Sequence, residues 1–206
     1  MKKVLPLLFL SLALFNCRND KPKETSVEKQ IDDLLLVPGE RVGMITATTT
    51  EADLEAMYGA ENLKMERIAV AEDNEREGVI LFPGTNKEVE IIWQTATSEG
   101  TPAFVRISKD STVWKTEDGI TIGSTLEELE KVNGTPFQFY GFEWDYSGLV
   151  TNWKDGKFDK HFVVALIPQD FNAINPDMMG EVQLSSNDDK IRAVQAKVGS
   201  MVITFN

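Results

Sequence analysis

Hydrophobic residues follow three patterns along this chain: one unbroken run near the start, two short helical stripes, and a succession of segments of strand length. The unbroken run covers residues 4–15, mostly Leu and Phe with only Pro6 and Ser11 interrupting, behind the positive pair Lys2-Lys3. A charged start followed by a short apolar stretch is the profile of a secretory signal. Its twelve residues reach roughly 18 Å as a helix, against the roughly 30 Å hydrocarbon core that a permanent span must cross.

The helical stripes sit in two similar segments. Thr50-Glu-Ala-Asp-Leu-Glu-Ala-Met-Tyr-Gly59 and Thr125-Leu-Glu-Glu-Leu-Glu-Lys-Val-Asn-Gly134 align without gaps at an offset of 75 residues. Thr50 and Thr125 are placed as N-caps, with Asp53 and Glu128 at the capping-box position three residues on. Leu54 with Met57, and Leu129 with Val132, give an i, i+3 apolar stripe that requires burial. Gly59 and Gly134 can end each helix in the left-handed conformation, and Pro136 keeps the second from resuming.

Strand-like periodicity follows each helix. It predicts strands over 63–70, 78–82, 89–94 and 104–114 in the first half, and over 137–142, 147–153, 157–167 and 200–205 in the second. Pro83-Gly84-Thr85-Asn86 marks a turn, and Asp155-Gly156 is a hairpin signal. The 75-residue offset also carries Val89 onto Val164 and Ile91 onto Leu166. These elements predict an α+β fold of two tandem units, 26–116 and 117–206, each a short helix packed on an antiparallel β-sheet. Chance recurrence of a common capping pattern is the competing explanation of the repeat.

Directly after the apolar run come Leu14-Phe15-Asn16-Cys17, and Cys17 is the sole cysteine. This resembles the lipobox of bacterial lipoproteins, although a small residue usually stands where Asn16 is. The resemblance implies that residues 1–16 are removed and that Cys17 is acylated and becomes the mature N-terminus. Ordinary cleavage after Ser11-Leu12-Ala13 would instead leave an unpaired thiol in an oxidising compartment. Residues 17–25 are polar, charged and broken by Pro22, which predicts a flexible tether. More than one acyl chain suffices for stable attachment, so the predicted partner of this end is the membrane.

Composition narrows the options. The formal charge of −12 becomes −14 once Lys2 and Lys3 leave with the signal. Such a balance disfavours nucleic acid and anionic headgroups. With its one cysteine committed to lipid, the chain forms no disulfide and depends on packing.

The second half carries a further resemblance. Gly119-Ile-Thr-Ile-Gly123, Leu126-x-x-Leu129, Asn133-Gly134-x-Pro136-Phe137, Gly141-Phe142-x-Trp144-Asp145-Tyr146 and Gly148 are similar to motifs of a group of uncharacterised bacterial envelope lipoproteins. More distantly, helix, Gly-x-Pro, aromatic strand and Asp-Gly turn resemble the repeat shared by BamE/SmpA-type outer-membrane lipoproteins and the β-lactamase inhibitory protein, here doubled. These resemblances imply a fold and a compartment, and carry no activity. By resemblance to proteobacterial sorting rules, Arg18 argues against inner-membrane retention, which points to an outer-membrane lipoprotein facing the periplasm.

The densest chemical cluster is Phe142-Glu143-Trp144-Asp145-Tyr146 with Trp153. Read as a strand, it puts Phe142, Trp144 and Tyr146 on one face and Glu143 and Asp145 on the other. Such rings either stack on a sugar or peptide or, more commonly, fill the core. Trp144, Asp145, Tyr146 and Trp153 are therefore the candidate binding residues, while Asp145 can equally tie down a turn. His161, the single histidine, reads as an ordinary strand-end residue, since no nucleophile or orienting acid accompanies it in sequence. No metal-ligand spacing, nucleophile elbow, phosphate loop or dinucleotide fingerprint is present, so the sequence predicts neither cofactor nor metal. The expectation is a noncatalytic envelope lipoprotein that binds an envelope protein. The alternative is a glycan-binding or glycan-cleaving module built on Trp144, Tyr146 and Trp153.

Overall fold

Thr50 and Thr125 each open a helix as their spacing predicts. In the computed structural model, which describes residues 34–95 and 100–206, α1 (Glu51–Tyr58) and α2 (Leu126–Asn133) both begin with complete capping boxes. At α1 the Thr50 amide and hydroxyl donate to Asp53 Oδ2 at 2.9 and 2.7 Å, and the Asp53 amide donates back to Thr50 Oγ1 at 3.2 Å. Gly134 ends α2 in the left-handed region (φ 82°, ψ −9°). Gly59 has positive φ but extended ψ (84°, 138°), so the chain leaves α1 in a different direction. Leu54 and Leu129 are fully buried, each stabilising by about 1.5–3 kcal/mol, with Met57 and Val132 packed partly against the same core.

Among the described residues the strands are β1 (Leu35–Val37), β2 (Arg41–Val42), β3 (Ile45–Thr46), β4 (Leu63–Ala71), β5 (Asn74–Leu81), β6 (Val89–Trp93), β7 (Pro102–Ile107), β8 (Lys115–Thr116), β9 (Gln138–Tyr140), β10 (Val150–Asn152), β11 (Phe162–Ile167), β12 (Gln183–Ser185) and β13 (Lys197–Thr204). A third helix, α3 (Asp189–Ala193), precedes β13. The strands form a six-stranded antiparallel sheet in the order β11-β13-β7-β6-β5-β4, a small sheet β3-β2-β1-β8, and a three-stranded sheet β10-β9-β12. The strand expected over 104–114 stops at Ile107, after which the chain loops to Trp114, whose indole donates to the Lys87 carbonyl at 2.8 Å.

The α+β class holds, but the two tandem units expected over 26–116 and 117–206 do not emerge. β13 lies between β7 and β11, so strands of both halves complete one sheet. Register partners Val79, Ile91, Val105, Ile203 and Phe162 form a buried row across five strands of it. All described residues fall in one compact unit, Ile31–Asn206. A shared capping box is a local feature and does not report which sheet the following strands join. Cys17, the signal segment and the tether lie outside the described residues.

The Asp-Gly turn also differs from expectation. Lys154 and Asp155, both at positive φ (55° and 57°), are the central residues of a primed-type turn closed by the Gly156 amide on the Trp153 carbonyl at 3.1 Å. No hairpin follows, because β10 pairs with β9 rather than with β11. Asn133 captures the chain beyond the turn: its Nδ2 donates to the Trp153 carbonyl (2.9 Å), and its Oδ1 accepts from the Phe158 amide (3.2 Å). A Cβ at Gly156 would stand 2.2 Å from Asn133 Oδ1, so only glycine permits this approach.

Two tests follow from this packing. The hydrogen bonds from Thr50 hold the Asp53 carboxyl below the usual carboxylate range. A folded pKa below the unfolded one adds stability above the unfolded value and loses it as pH falls through the folded value. Asp53→Asn is therefore expected to lower the melting temperature at neutral pH, with the gap to the native protein closing below about pH 4; a gap independent of pH contradicts the assignment. At Gly148 (φ +67°) a Cβ would lie 2.1 Å from the Leu166 carbonyl oxygen, so Gly148→Ala should cost about 3 kcal/mol or more in urea unfolding. A loss below about 1 kcal/mol would show that the strands part easily there.

Candidate functional site

Residues 141–148 form a closed turn, not the strand that alternating aromatics suggested. Glu143 adopts positive φ (62°), and the Gly148 amide donates back to the Gly141 carbonyl at 3.1 Å, so the two ends of the segment meet. Backbone from two other segments clamps it. The Leu166 amide of β11 donates to the Gly148 carbonyl at 2.9 Å, and on the other side the Phe142 amide donates to the Met178 carbonyl at 2.8 Å. A Cβ at Gly141 would come within 2.5 Å of that Met178 oxygen. The glycines of the Gly141-Phe142 and Gly148 motif are thus places where another backbone passes too close for a side chain.

Closing the turn separates the aromatic residues that a strand would have aligned. Phe142 points into the core and is fully buried. Trp144 is half-buried, with its indole N–H donating to the Gly141 carbonyl at 3.0 Å. Tyr146 is 54% exposed. The Trp144 ring contacts Tyr140 of β9 at 5.2 Å and Tyr146 at 5.3 Å, with interplanar angles of 85° and 66°. Asp145 and Glu143 are exposed beside these rings and, among the described residues, neither is ion-paired.

Trp153 does not belong to this surface. It is 8% exposed, its indole donates to the Phe162 carbonyl at 3.0 Å, and its ring packs among Phe137, Phe158 and Phe162 at 4.9–5.9 Å. It lines the edge of an open cleft of about 600 Å³ between β10 and β11, where the strands splay beyond Leu149 and Ala165. Of the four candidate residues, the fold brings together Trp144, Asp145 and Tyr146 and assigns Trp153 to the core. Tyr140 is the member that the sequence reading missed. The alternation Phe137, Phe139 inward against Tyr140 outward was the signal available for it.

The chain matches no family model, no curated protein and no solved structure.

The remaining polar groups and clefts lie apart from this surface. His161 is buried at the end of β11, its Nδ1 within 3.0 Å of the Thr204 hydroxyl, where it ties β11 to the C-terminal strand beside Gly39. A smaller cleft of about 190 Å³ beside the β1–β2 turn is lined by Glu117, Asp118, Asp159 and Lys157, with Lys157 paired to Asp118. Among the described residues no group of three or more His, Cys, Asp or Glu is placed to hold a metal ion. No helix among them is long and apolar enough to cross a membrane.

Three of the four tryptophans, Trp93, Trp114 and Trp153, are buried. Acrylamide should therefore quench little beyond the emission of Trp144, and Trp144→Phe should remove nearly all of the quencher-accessible component. A large accessible fraction in that variant would contradict the placement of Trp153.

Proposed function

We propose that the protein is a noncatalytic, lipid-tethered module of the bacterial cell envelope that docks a protein partner on the Tyr140–Trp144–Tyr146 surface. The observation that carries this reading is the exposed Tyr146 and half-buried Trp144 on a turn fixed at both ends, backed by the half-buried Tyr140 of β9. Tyrosine and tryptophan supply much contact area for little loss of side-chain freedom, which is why they dominate binding hot spots. Fixing the turn in advance lowers the ordering cost of association. The short apolar leader and Cys17 support export and anchoring, and the motif resemblance of residues 118–156 to envelope lipoproteins supports the compartment, with the outer membrane facing the periplasm as the proposed address.

The ring geometry favours a polypeptide over a glycan. A saccharide stacked along several rings needs their faces in one plane, whereas here the planes meet at 85° and 66° and Trp153, the fourth ring such a platform would use, is buried. Tilted rings instead form pockets between edge and face, suited to side chains of differing shape.

A photoreactive amino acid in place of Tyr146, used in intact cells, tests the reading. A discrete polypeptide adduct is expected, lost on Trp144→Ala and absent when the probe replaces Lys64 on β4. Equal labelling from both positions, or turnover of an envelope substrate abolished by one acidic substitution, would overturn it. Mass spectrometry of the mature product should find Cys17 acylated at its N-terminus.

A further inference from the structure

The surface around the aromatic turn has an unusual charge. Lys and Arg are absent from residues 132–153 and from 162–189, the segments that supply β9, β10, β11, β12 and the turn itself, while the same segments hold seven Asp and Glu. None of these seven carboxylates is ion-paired among the described residues. Elsewhere several acids are paired, as in Glu90 with Arg106 at 2.5 Å and Glu130 with Arg192 at 2.7 Å, and the other long base-free stretch, residues 42–63, holds four acids but none of the aromatic turn. These segments thus carry seven negative charges with no base among them.

Exposed apolar groups concentrate in the same place. Of the seven large hydrophobic residues exposed among the described ones, Tyr146, Ile167, Phe171, Met179 and Val182 belong to the turn or to the segments that follow it. Backbone bonds place several of them next to the turn: the Gly141 amide donates to the Val182 carbonyl at 2.9 Å, Phe142 bridges Met179, and the Gly180 amide donates to the Phe142 carbonyl at 2.9 Å. Glu181 thus stands between Gly180 and Val182, beside the Gly141–Phe142 backbone where the aromatic turn begins.

Resting on the docking reading above, we infer that the partner presents a cationic, amphipathic polypeptide segment whose Arg or Lys side chains lie over Tyr146 and Trp144 among Glu143, Asp145 and Glu181. A guanidinium stacks on a single ring face and needs no coplanar platform, so the tilted rings suit it. Carboxylates at the ring edge add attraction for the same cation, and the surrounding apolar groups accept the non-polar face of the segment. An anionic lipid surface or an acidic peptide would meet the like charges of Glu143, Asp145 and Glu181 instead.

The test uses the full-length protein in non-ionic detergent and the fluorescence anisotropy of a labelled peptide of alternating Arg and Leu. Its counterpart of alternating Glu and Leu is the control. Saturable binding of the Arg peptide alone is expected, falling severalfold between about 50 and about 300 mM NaCl. Glu143→Gln with Asp145→Asn should weaken it about tenfold, and so should Trp144→Ala with Tyr146→Ala. Glu66→Gln with Glu75→Gln, an equal change of net charge on the β4–β5 ribbon, should alter it less than about twofold. Equal weakening by the ribbon variant, equal binding of the Glu peptide, or salt-independent binding of neutral cell-wall oligosaccharides at Trp144 would overturn the inference. Should the Arg peptide fail to bind while the Tyr146 crosslink still depends on Trp144, the cation preference falls and the docking reading stands; loss of both removes both.

Discussion

The insertion of β13 between β7 and β11 is the constraint on which the rest of the structure depends. Its eight residues, Lys197–Thr204, pair on one side with a strand of the first half and on the other with a strand of the second. The sheet that covers the core is completed only when the end of the chain returns to its middle. Such pairing joins residues far apart in sequence, so it is made against a substantial loop-closure cost and is expected late in folding. The aromatic turn inherits this dependence, because Gly148 is held by Leu166 of β11, and β11 reaches the large sheet through β13.

Local chemistry was legible in the sequence. Thr50 with Asp53 and Thr125 with Glu128 specify helix starts through bonds spanning three residues, and both helices occupy the expected positions. The strand cores over 89–93 and 162–167 likewise follow from runs of apolar and β-branched residues. What could not be read was long-range placement. A helix-plus-strands pattern that recurs after 75 residues is compatible with two sheets or with one, and the choice lies in which edges find each other. Residues 142–146 misled for a related reason: alternation implies a strand only if the backbone stays extended. Here Glu143 turns to positive φ and Gly148 lets the chain close on Gly141.

The site was partly legible. Trp144, Asp145 and Tyr146 share one surface, but Trp153 is drawn into the core by a shell of phenylalanines and by its bond to the Phe162 carbonyl. The outcome is physically coherent. Trp153 is buried with its indole hydrogen-bonded, while Trp144 and Tyr146 on the clamped turn remain at least partly at the surface beside the exposed carboxylates of Glu143 and Asp145. A rigid turn with exposed rings is a poor device for stability and a good one for binding, since its contacts are already arranged before a partner arrives.

Native-state hydrogen exchange across a urea series tests the central claim, that one sheet shared by both halves makes a single cooperative unit. Amides of β5 and β6 and amides of β11 should lose protection through the same opening, with one free energy and one urea dependence. If β11 opened at low urea while β5 and β6 stayed protected to the end, the halves would be separate folding units and β13 would not join them into one.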